Sequence, residues 1–270
     1  MSWFEAETAV ERVTDVRWSA HVSGHWNIGT NPNGGYLAAI ALRALRQLGP
    51  HTDPISVTTH FLRPGTAGAA AEVITEVLRV GRTITTARAT LVQDGRARLE
   101  MIASLADLAS PSGIEDALTI AAPPIPPPDQ CVLRSGVEQG IDLPILDRVD
   151  IMLDGEQATA GQAGAAEVSG WIRLGDGAPP DALALVLFAD AFPPSLFGLL
   201  GNVGWVPSVE LTVHVRRRPA AGWILGQFST SDLHDGRMIE DGALWDESGA
   251  LVAQMRQIGL LLSRADASGG

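Results

Sequence analysis

The sequence of 270 residues is poor in cysteine, in basic residues and in long apolar runs. Its single cysteine, Cys131, excludes an internal disulfide and a cysteine zinc site. No apolar run reaches the roughly 18 residues of a membrane-spanning helix, and the first residues lack the basic and apolar regions of a signal peptide. With 19 Lys and Arg against 31 Asp and Glu, the net charge of −12 argues against general nucleic-acid binding. We therefore expect a cytoplasmic protein without a membrane span or a nucleic-acid partner.

Motifs of several enzyme classes are also missing. There is no Gly-x-Ser-x-Gly elbow for a nucleophilic serine, no metal-ligand spacing and no phosphate-binding loop. His60 and His214 fall in predicted strands and are more typical of ordinary strand residues than of catalytic bases. The basic cluster at 216–218 is more typical of a protected sheet edge than of an anion site. The sequence thus predicts neither a metal nor a cofactor.

One block of the sequence occurs twice. Arg63-Pro64 follows a strand-like run, and Arg218-Pro219 follows another such run 155 residues later. Gly81-Arg82 and Gly236-Arg237 are separated by the same interval. Repeats have to be settled before other signals of the fold, and this interval is too long for a solenoid. We therefore predict two tandem copies of one structural unit.

Each copy is predicted to contain an apolar helix followed by antiparallel strands. The first helix spans Tyr36 to Leu48, and the second runs from its cap, Asp181, to about Phe192. Apolar or alternating runs bounded by turn signals predict strands at 16–22, 55–62, 71–80, 83–93, 98–105, 148–153, 167–174, 208–216, 223–229, 238–245 and 251–262. A sheet wrapped round one apolar helix is the simplest packing for this order. Two such units can pair their edges and form one continuous sheet.

A proline-rich stretch separates the two copies. Six prolines lie between positions 111 and 128, and this density favours an extended chain that cannot enter a central strand. We therefore predict an N-terminal domain at 1–110, a linker at 111–140 and a C-terminal domain at 141–270.

Asp190 is an acidic residue on an apolar face of the second helix. It shares that face with Leu183, Val186 and Leu187, where a carboxylate is costly unless it is hydrogen-bonded. Either the side chain reaches solvent in the last turn before Pro193, or it serves a function. Its position alone leaves both interpretations open.

Gln257 and Ser208 are two further polar signals. Gln257 has the parity of Met255 in the last strand, which places an amide on an apolar face, although a core amide satisfied by the backbone has the same pattern. Ser208 opens a strand and has the parity of Thr212 and His214. That face is either solvated surface or the wall of a wet site.

These residues stand within motifs that resemble those of a known family. The motifs are Asn33-Gly34-Gly35-Tyr36-Leu37, His60-Phe61-Leu62-Arg63-Pro64-Gly65, Gly81-Arg82, Gln93-Asp94-Gly95, Ala189-Asp190, Pro207-Ser208-Val209-Glu210, Gly249-Ala250-Leu251-Val252-Ala253 and Gln257-Ile258-Gly259. They extend over almost the whole chain, which resembles the acyl-CoA thioesterase II group, the double hotdog thioesterases. The resemblance implies an α+β fold, a tandem double hotdog. In it each half is an antiparallel sheet wrapped round a central apolar helix, and the halves form one continuous sheet.

The resemblance also implies a reaction and a catalytic site. Family members hydrolyse acyl-CoA thioesters with a water held by an Asp, a Thr or Ser, and a Gln, and matching by position assigns these roles to Asp190, Ser208 and Gln257. Thioesterase II itself has Thr where this chain has Ser208. Thr212 is the alternative hydroxyl, because the loop before Ser208 leaves the register open. An Asp-His pair that follows the hydroxyl in thioesterase II reads Glu210-Leu211 here.

On this interpretation Asp190 is the general base, and donors from Ser208 and Gln257 keep it anionic. Gly34, Gly35 and Thr212 are expected to contact the substrate, with the two glycine N–H groups receiving the oxyanion.

The expected partner is an acyl-CoA or a similar small thioester, and a thioester on a carrier protein would suit the same chemistry. Double hotdogs often pair further, so a homo-oligomer stays open. Two alternatives keep the fold. One is a non-catalytic acyl-CoA or acyl-chain binding protein. The other is an enoyl-CoA hydratase, which needs a His that neither helix contains.

Overall fold

The computed structural model of the protein describes residues 1–110, 113–114, 118–136, 140–201 and 204–261. The α-helices in these residues are α1 (Trp3–Glu7), α2 (Gly34–Leu45), α3 (Ala182–Ala191) and α4 (Phe197–Leu200). The strands are β1 (Val10–Arg12), β2 (Arg17–Val22), β3 (Asn27–Ile28), β4 (Asn31–Pro32), β5 (Asp53–Phe61), β6 (Ala69–Val80), β7 (Thr85–Gln93), β8 (Arg96–Ala106), β9 (Val132–Leu133), β10 (Val149–Leu153), β11 (Glu167–Leu174), β12 (Ser208–Val215), β13 (Ile224–His234), β14 (Arg237–Asp246) and β15 (Leu251–Leu260). Short 3-10 turns lie at Gly24–Trp26, Pro128–Gln130 and Pro144–Asp147.

Thirteen of these strands form one antiparallel sheet. Their order is β1-β2-β6-β7-β8-β5-β12-β15-β14-β13-β11-β10-β9, and β3 pairs only with β4 in a separate ribbon. The order within the first half, β6-β7-β8-β5, is mirrored by β12-β15-β14-β13 in the second. The prediction of two antiparallel units joined into one continuous sheet is therefore confirmed.

The joint between the halves is the antiparallel pair of β5 and β12. Val57 pairs with Val213, and Thr58 pairs with Thr212. In the sequence repeat of 155 residues, Val57 is equivalent to Thr212, and Thr58 is equivalent to Val213. The two central strands are therefore related by a local two-fold symmetry, which the sequence repeat reflects.

Helices α2 and α3 are buried on the inner face of the sheet and contact each other. Each begins at a side-chain cap: Asn33 accepts from the N–H of Tyr36 at 2.9 Å, and Asp181 accepts from the N–H of Ala184 at 2.9 Å. In α3 every residue is buried except Asp190, which is partly accessible. The second helix therefore turns apolar side chains in all directions and presents one carboxylate at its C-terminal end.

Element boundaries differ from the predictions at a few places. Helix α2 ends at Leu45 rather than Leu48, because the chain tightens into turns before Gly49-Pro50, which cannot continue a helix. Strand β13 runs on to His234, since the reversal lies at Asp235-Gly236, where both φ angles are positive. Helix α1 was not predicted, although Ser2 and Glu5 form a capping box at its start.

The described part of the proline-rich segment from residue 118 onwards lies against the second half of the sheet. The indole N–H of Trp245 donates to the carbonyl of Ile120, and that of Trp171 donates to the carbonyl of Pro126, both at 2.8 Å. Strand β9 falls inside the predicted linker and pairs with β10. The domain boundaries at 110 and 140 stay a prediction.

Within the described part of the chain, no helix is both long and apolar enough to cross a bilayer.

Candidate active site

The site lies where the C-terminal end of α3, from the second half, meets the N-terminal end of α2, from the first. Glycine permits this contact, because a Cβ on Gly35 would lie only 2.7 Å from the carbonyl oxygen of Val186 and 2.9 Å from Cα of Leu187. The close approach brings Asp190 to the first turn of α2. A side chain of one half is thereby placed against the backbone of the other.

The carboxylate of Asp190 is held by donors from the start of α2. Its Oδ2 accepts from the N–H of Gly35 at 2.9 Å and from Nδ2 of Asn33 at 2.8 Å. Asn33 also donates to the backbone carbonyl of Asp190 at 2.8 Å while its Oδ1 caps α2. The N-terminus of a helix favours a negative charge. These contacts fix the carboxylate in position and leave its Oδ1 towards the cleft and Ser208.

Burial raises the pKa of Asp190 to about 6. The backbone N–H of Gly35 lowers the pKa of Asp190, and the N–H of Gly34 and the hydroxyl of Ser208 lower it to a smaller extent. The negative charge of Glu240 raises it further. The carboxyl group is consequently ionised at neutral pH yet far more basic than an exposed aspartate. That combination suits a general base.

Ser208 points into the site because of a β-bulge. In the pairing of β12 with β15, Ser208 lies opposite Gly259 and Glu210 lies opposite Ile258, so one extra residue stands between them. The bulge reverses the parity at the start of β12. Ser208 faces inwards with Gln257, whereas Thr212, opposite Arg256, faces outwards.

Gln257 completes the polar cluster. The Oγ of Ser208 donates to Oε1 of Gln257 at 2.8 Å and lies 3.5 Å from Oδ1 of Asp190. Gln257 is 8% exposed, and its Nε2 donates to the carboxylate of Glu240. The structure thus brings together the three residues predicted from the sequence, with Ser208 between the other two.

Three details of the sequence prediction are wrong in this structure. Gln257 does not donate to Asp190; the donors to that carboxylate come from the start of α2, and the Oγ of Ser208 lies 3.5 Å from its Oδ1. The N–H of Gly35 is bound to Asp190 and is not directed at a substrate. Thr212 lies on the outer face, where its Oγ1 is 2.9 Å from that of Thr58, because the bulge separates its parity from that of Ser208.

Two residues of the cluster were not predicted. Asn33 is part of a sequence motif, and an Asn immediately before an apolar helix is a cap signal from which its position could have been found. Glu240 is a buried carboxylate in β14, 3% exposed. Its parity with the apolar residues Met238 and Leu244 is the same signal that identified Gln257.

The cluster opens into a cleft of about 400 Å³, a size typical of small-molecule sites. Its walls are mostly apolar: the described lining includes Leu37, Phe61, Phe192, Phe197 and Phe228. Three exposed apolar residues, Leu62, Trp205 and Val209, also belong to it. No histidine or cysteine is found among the described lining residues. An apolar chain would fit beside the polar corner that the helices and β15 create.

Comparison with known proteins adds independent information. Residues 22–107 match a family model described as the acyl-CoA thioesterase N-terminal domain, and residues 120–261 match one described as the acyl-CoA thioesterase C-terminal domain. The chain is similar to the crystal structure of a candidate thioesterase II from Thermobifida fusca, with 33% identity, a TM-score of 0.87 and coverage of 97% and 98% of the two chains.

Two further similarities cover nearly all of the chain. An acyl-CoA thioesterase II from Mycobacterium marinum is 23% identical, with a TM-score of 0.74 and coverage of 97% and 99%; this likeness bears on the fold alone. An uncharacterized protein of Mycobacterium tuberculosis is 26% identical over 277 residues, which is 90% of each chain.

Proposed function

Because this chain belongs to the acyl-CoA thioesterase family, we propose that it hydrolyses acyl thioesters, with acyl-CoA as the expected substrate class. The observation that carries the proposal is the meeting of Asp190, Ser208 and Gln257 at the polar end of an apolar cleft. The cleft has room for an acyl chain, and the cluster supplies a base beside it.

In the proposed mechanism Asp190 and Ser208 hold one water between them. The water oxygen forms a bond to the thioester carbonyl carbon, Asp190 accepts one water proton, and the carbonyl π electrons move to its oxygen. The pKa of about 6 supports this role, since the carboxylate is ionised at neutral pH and still basic. Holding the water in line with the carbonyl contributes several kcal/mol to lowering the barrier.

The tetrahedral intermediate then collapses. The carbonyl re-forms, the C–S bond breaks, and the sulfur leaves as a thiolate that takes up the proton from Asp190 or from solvent. A thiol with a pKa of about 8.5 is an adequate leaving group without a strong general acid. The positive end of the α2 dipole, at Gly34, lies in the wall of the cleft and would stabilise the oxyanion of a thioester bound beside Asp190.

Two observations bear on the alternatives. A hydratase needs an Asp and a His together, and the described residues around the cleft include no His. A binding protein without activity needs no base, and the position of Asp190 beside Ser208 in the wall of the cleft favours the hydrolase. Release of free thiol from a panel of acyl-CoA substrates, followed with a thiol dye, tests the proposal. Tight binding without thiol release would favour the binding protein instead.

A further inference from the structure

Glu240 is a buried carboxylate that the mechanism above does not use. One of its oxygens accepts from the backbone N–H of Ser195 at 2.8 Å, and the other accepts from Nε2 of Gln257. Burial raises its pKa, the donors from Ser195 and Gln257 oppose the shift, and the charge of Asp241 adds to it. A buried carboxylate is costly, and an apolar residue of similar size would fill the space at lower cost. Its presence in the wall of the cleft therefore calls for a reason.

Both oxygens of Glu240 act as hydrogen-bond acceptors in this structure, and this dictates how the Gln257 amide is turned. Nε2 must face Glu240, so Oε1 must face Ser208, as the structure has it. A hydroxyl carries one hydrogen, and that of Ser208 is given to Oε1 of Gln257 at 2.8 Å. The donations therefore run in one direction, from Ser208 to Gln257 to Glu240.

This direction determines what a water beside Asp190 encounters. The Oγ of Ser208 keeps its lone pairs, and Oδ1 of Asp190, 3.5 Å away, is also an acceptor. A water between them can give one hydrogen to each, which leaves its own lone pairs to face the thioester carbon. With the amide reversed, Gln257 would donate to Ser208, and Ser208 would turn its hydrogen to Asp190. The base would then be occupied by the serine rather than by the water.

We propose that Glu240 is a positioning residue, which sets the direction of the hydrogen bonds through Gln257 and Ser208 so that the catalytic water meets two acceptors. This proposal rests on the proposed hydrolase function. It differs from a purely structural role, in which Glu240 would only anchor the loop at Ser195.

Glu240→Gln is the first test. The substituted side chain keeps an oxygen for the N–H of Ser195 and turns its amide nitrogen to Gln257, which must then reverse. We expect kcat to fall roughly 10- to 100-fold, the size of one lost or misdirected buried hydrogen bond, with little change in KM. Because a negative charge near Asp190 is removed, the acid limb of the pH profile should also move to lower pH. The matched control is Asp241→Asn, which removes a half-exposed carboxylate next in the same strand and should leave kcat unchanged.

The decisive variant is the exchange Glu240→Gln with Gln257→Glu. In it the carboxylate at position 257 accepts from both the amide at position 240 and Ser208, so the original direction at Ser208 is restored. A carboxylate at position 257 is expected to raise the pKa of Asp190 further, so the variant is assayed up to about pH 9, where Asp190 is ionised in any case. Under these conditions we expect most of the lost kcat to return. A structural role for Glu240 gives no such recovery, because the anchor at Ser195 is equally present in both variants.

The outcomes separate the two proposals. No thiol release by the wild type means that the proposed function fails. An active wild type with a fully active Glu240→Gln variant, or a folded exchange variant with no recovery, overturns the role of Glu240. Should Glu240→Gln fail to fold, as judged by circular dichroism and thermal unfolding, the exchange variant alone decides: active supports the role, and folded but inactive refutes it.

Discussion

The carboxylate of Asp190 accepts a hydrogen bond from the backbone N–H of Gly35 at 2.9 Å, although the two residues are 155 positions apart in the sequence. The contact joins the C-terminal end of one central helix to the N-terminal end of the other. The candidate base therefore belongs to neither half alone. Its position depends on the docking of both, which the continuous sheet maintains.

The pH dependence follows from the environment of Asp190. A general base must be ionised to act, and the pKa of this carboxyl group is raised to about 6. We predict that kcat/KM is low below this pH, rises through it and is level above it, in a profile measured on a substrate present well below KM. A profile that is flat from about pH 4 to pH 8 would show that no group of this kind controls the reaction.

Ser208 and Thr212 offer a matched pair of hydroxyl deletions in one strand. Ser208→Ala removes the inward hydroxyl that bonds Gln257, and we predict a loss of about 10-fold or more in kcat. Thr212→Val removes a hydroxyl on the outer face and should leave kcat within about 2-fold of wild type, since no hydrogen bond to the cleft is lost. Steady-state kinetics of both variants decide whether Ser208 or Thr212 supplies the catalytic hydroxyl. The opposite pattern would assign the catalytic hydroxyl to Thr212.

Gly35→Ala tests the contact between the helices. The added Cβ would lie 2.7 Å from a backbone oxygen of α3, so the helices must separate. We predict a loss of about 1–3 kcal/mol in the free energy of unfolding, together with reduced activity because Asp190 moves. Gly24→Ala is the control, since its nearest neighbour would be 3.8 Å away. Denaturant unfolding of both variants gives the comparison, and equal stabilities would contradict the close contact.

Replacing Asp190 should also change how stability depends on pH. The pKa of Asp190 in the folded protein lies above its ordinary value of 3.8, so ionisation destabilises the fold as pH rises from about 4 through about 6. We predict that Asp190→Asn gains stability relative to wild type over this range, by at most about 3 kcal/mol. Thermal unfolding at several pH values measures the trend. The control is Asp15→Asn at an exposed position, and an equal gain in that variant would contradict the account based on burial of Asp190.

Much of the fold and part of the site could be predicted from the sequence. The repeat interval of 155 residues identified the two units, and the parity of Gln257 identified a polar residue on an apolar face, because both patterns are local and periodic. The side of the sheet that Ser208 faces could not be predicted. A β-bulge inserts one residue and reverses the parity, and alternation alone carries no sign of it.

Glu240 shows a different kind of failure. Its parity with Met238 and Leu244 was visible in the sequence, but a single acidic residue in a strand is usually solvated, and the pattern alone did not distinguish it. The partners that make it tolerable, Ser195 and Gln257, come from distant parts of the chain. Only their tertiary arrangement reveals why a carboxylate is buried there.

Turnover by Asp190→Asn, compared with wild type on an acyl-CoA that the wild type cleaves, tests the central claim most directly. Asparagine keeps the size of the side chain and an oxygen acceptor but cannot take a proton from water. We predict that kcat falls by about 10²- to 10⁴-fold, the usual contribution of a general base, while circular dichroism shows an unchanged fold. A folded Asp190→Asn variant with nearly full thiol release would contradict the assignment of Asp190 as the base.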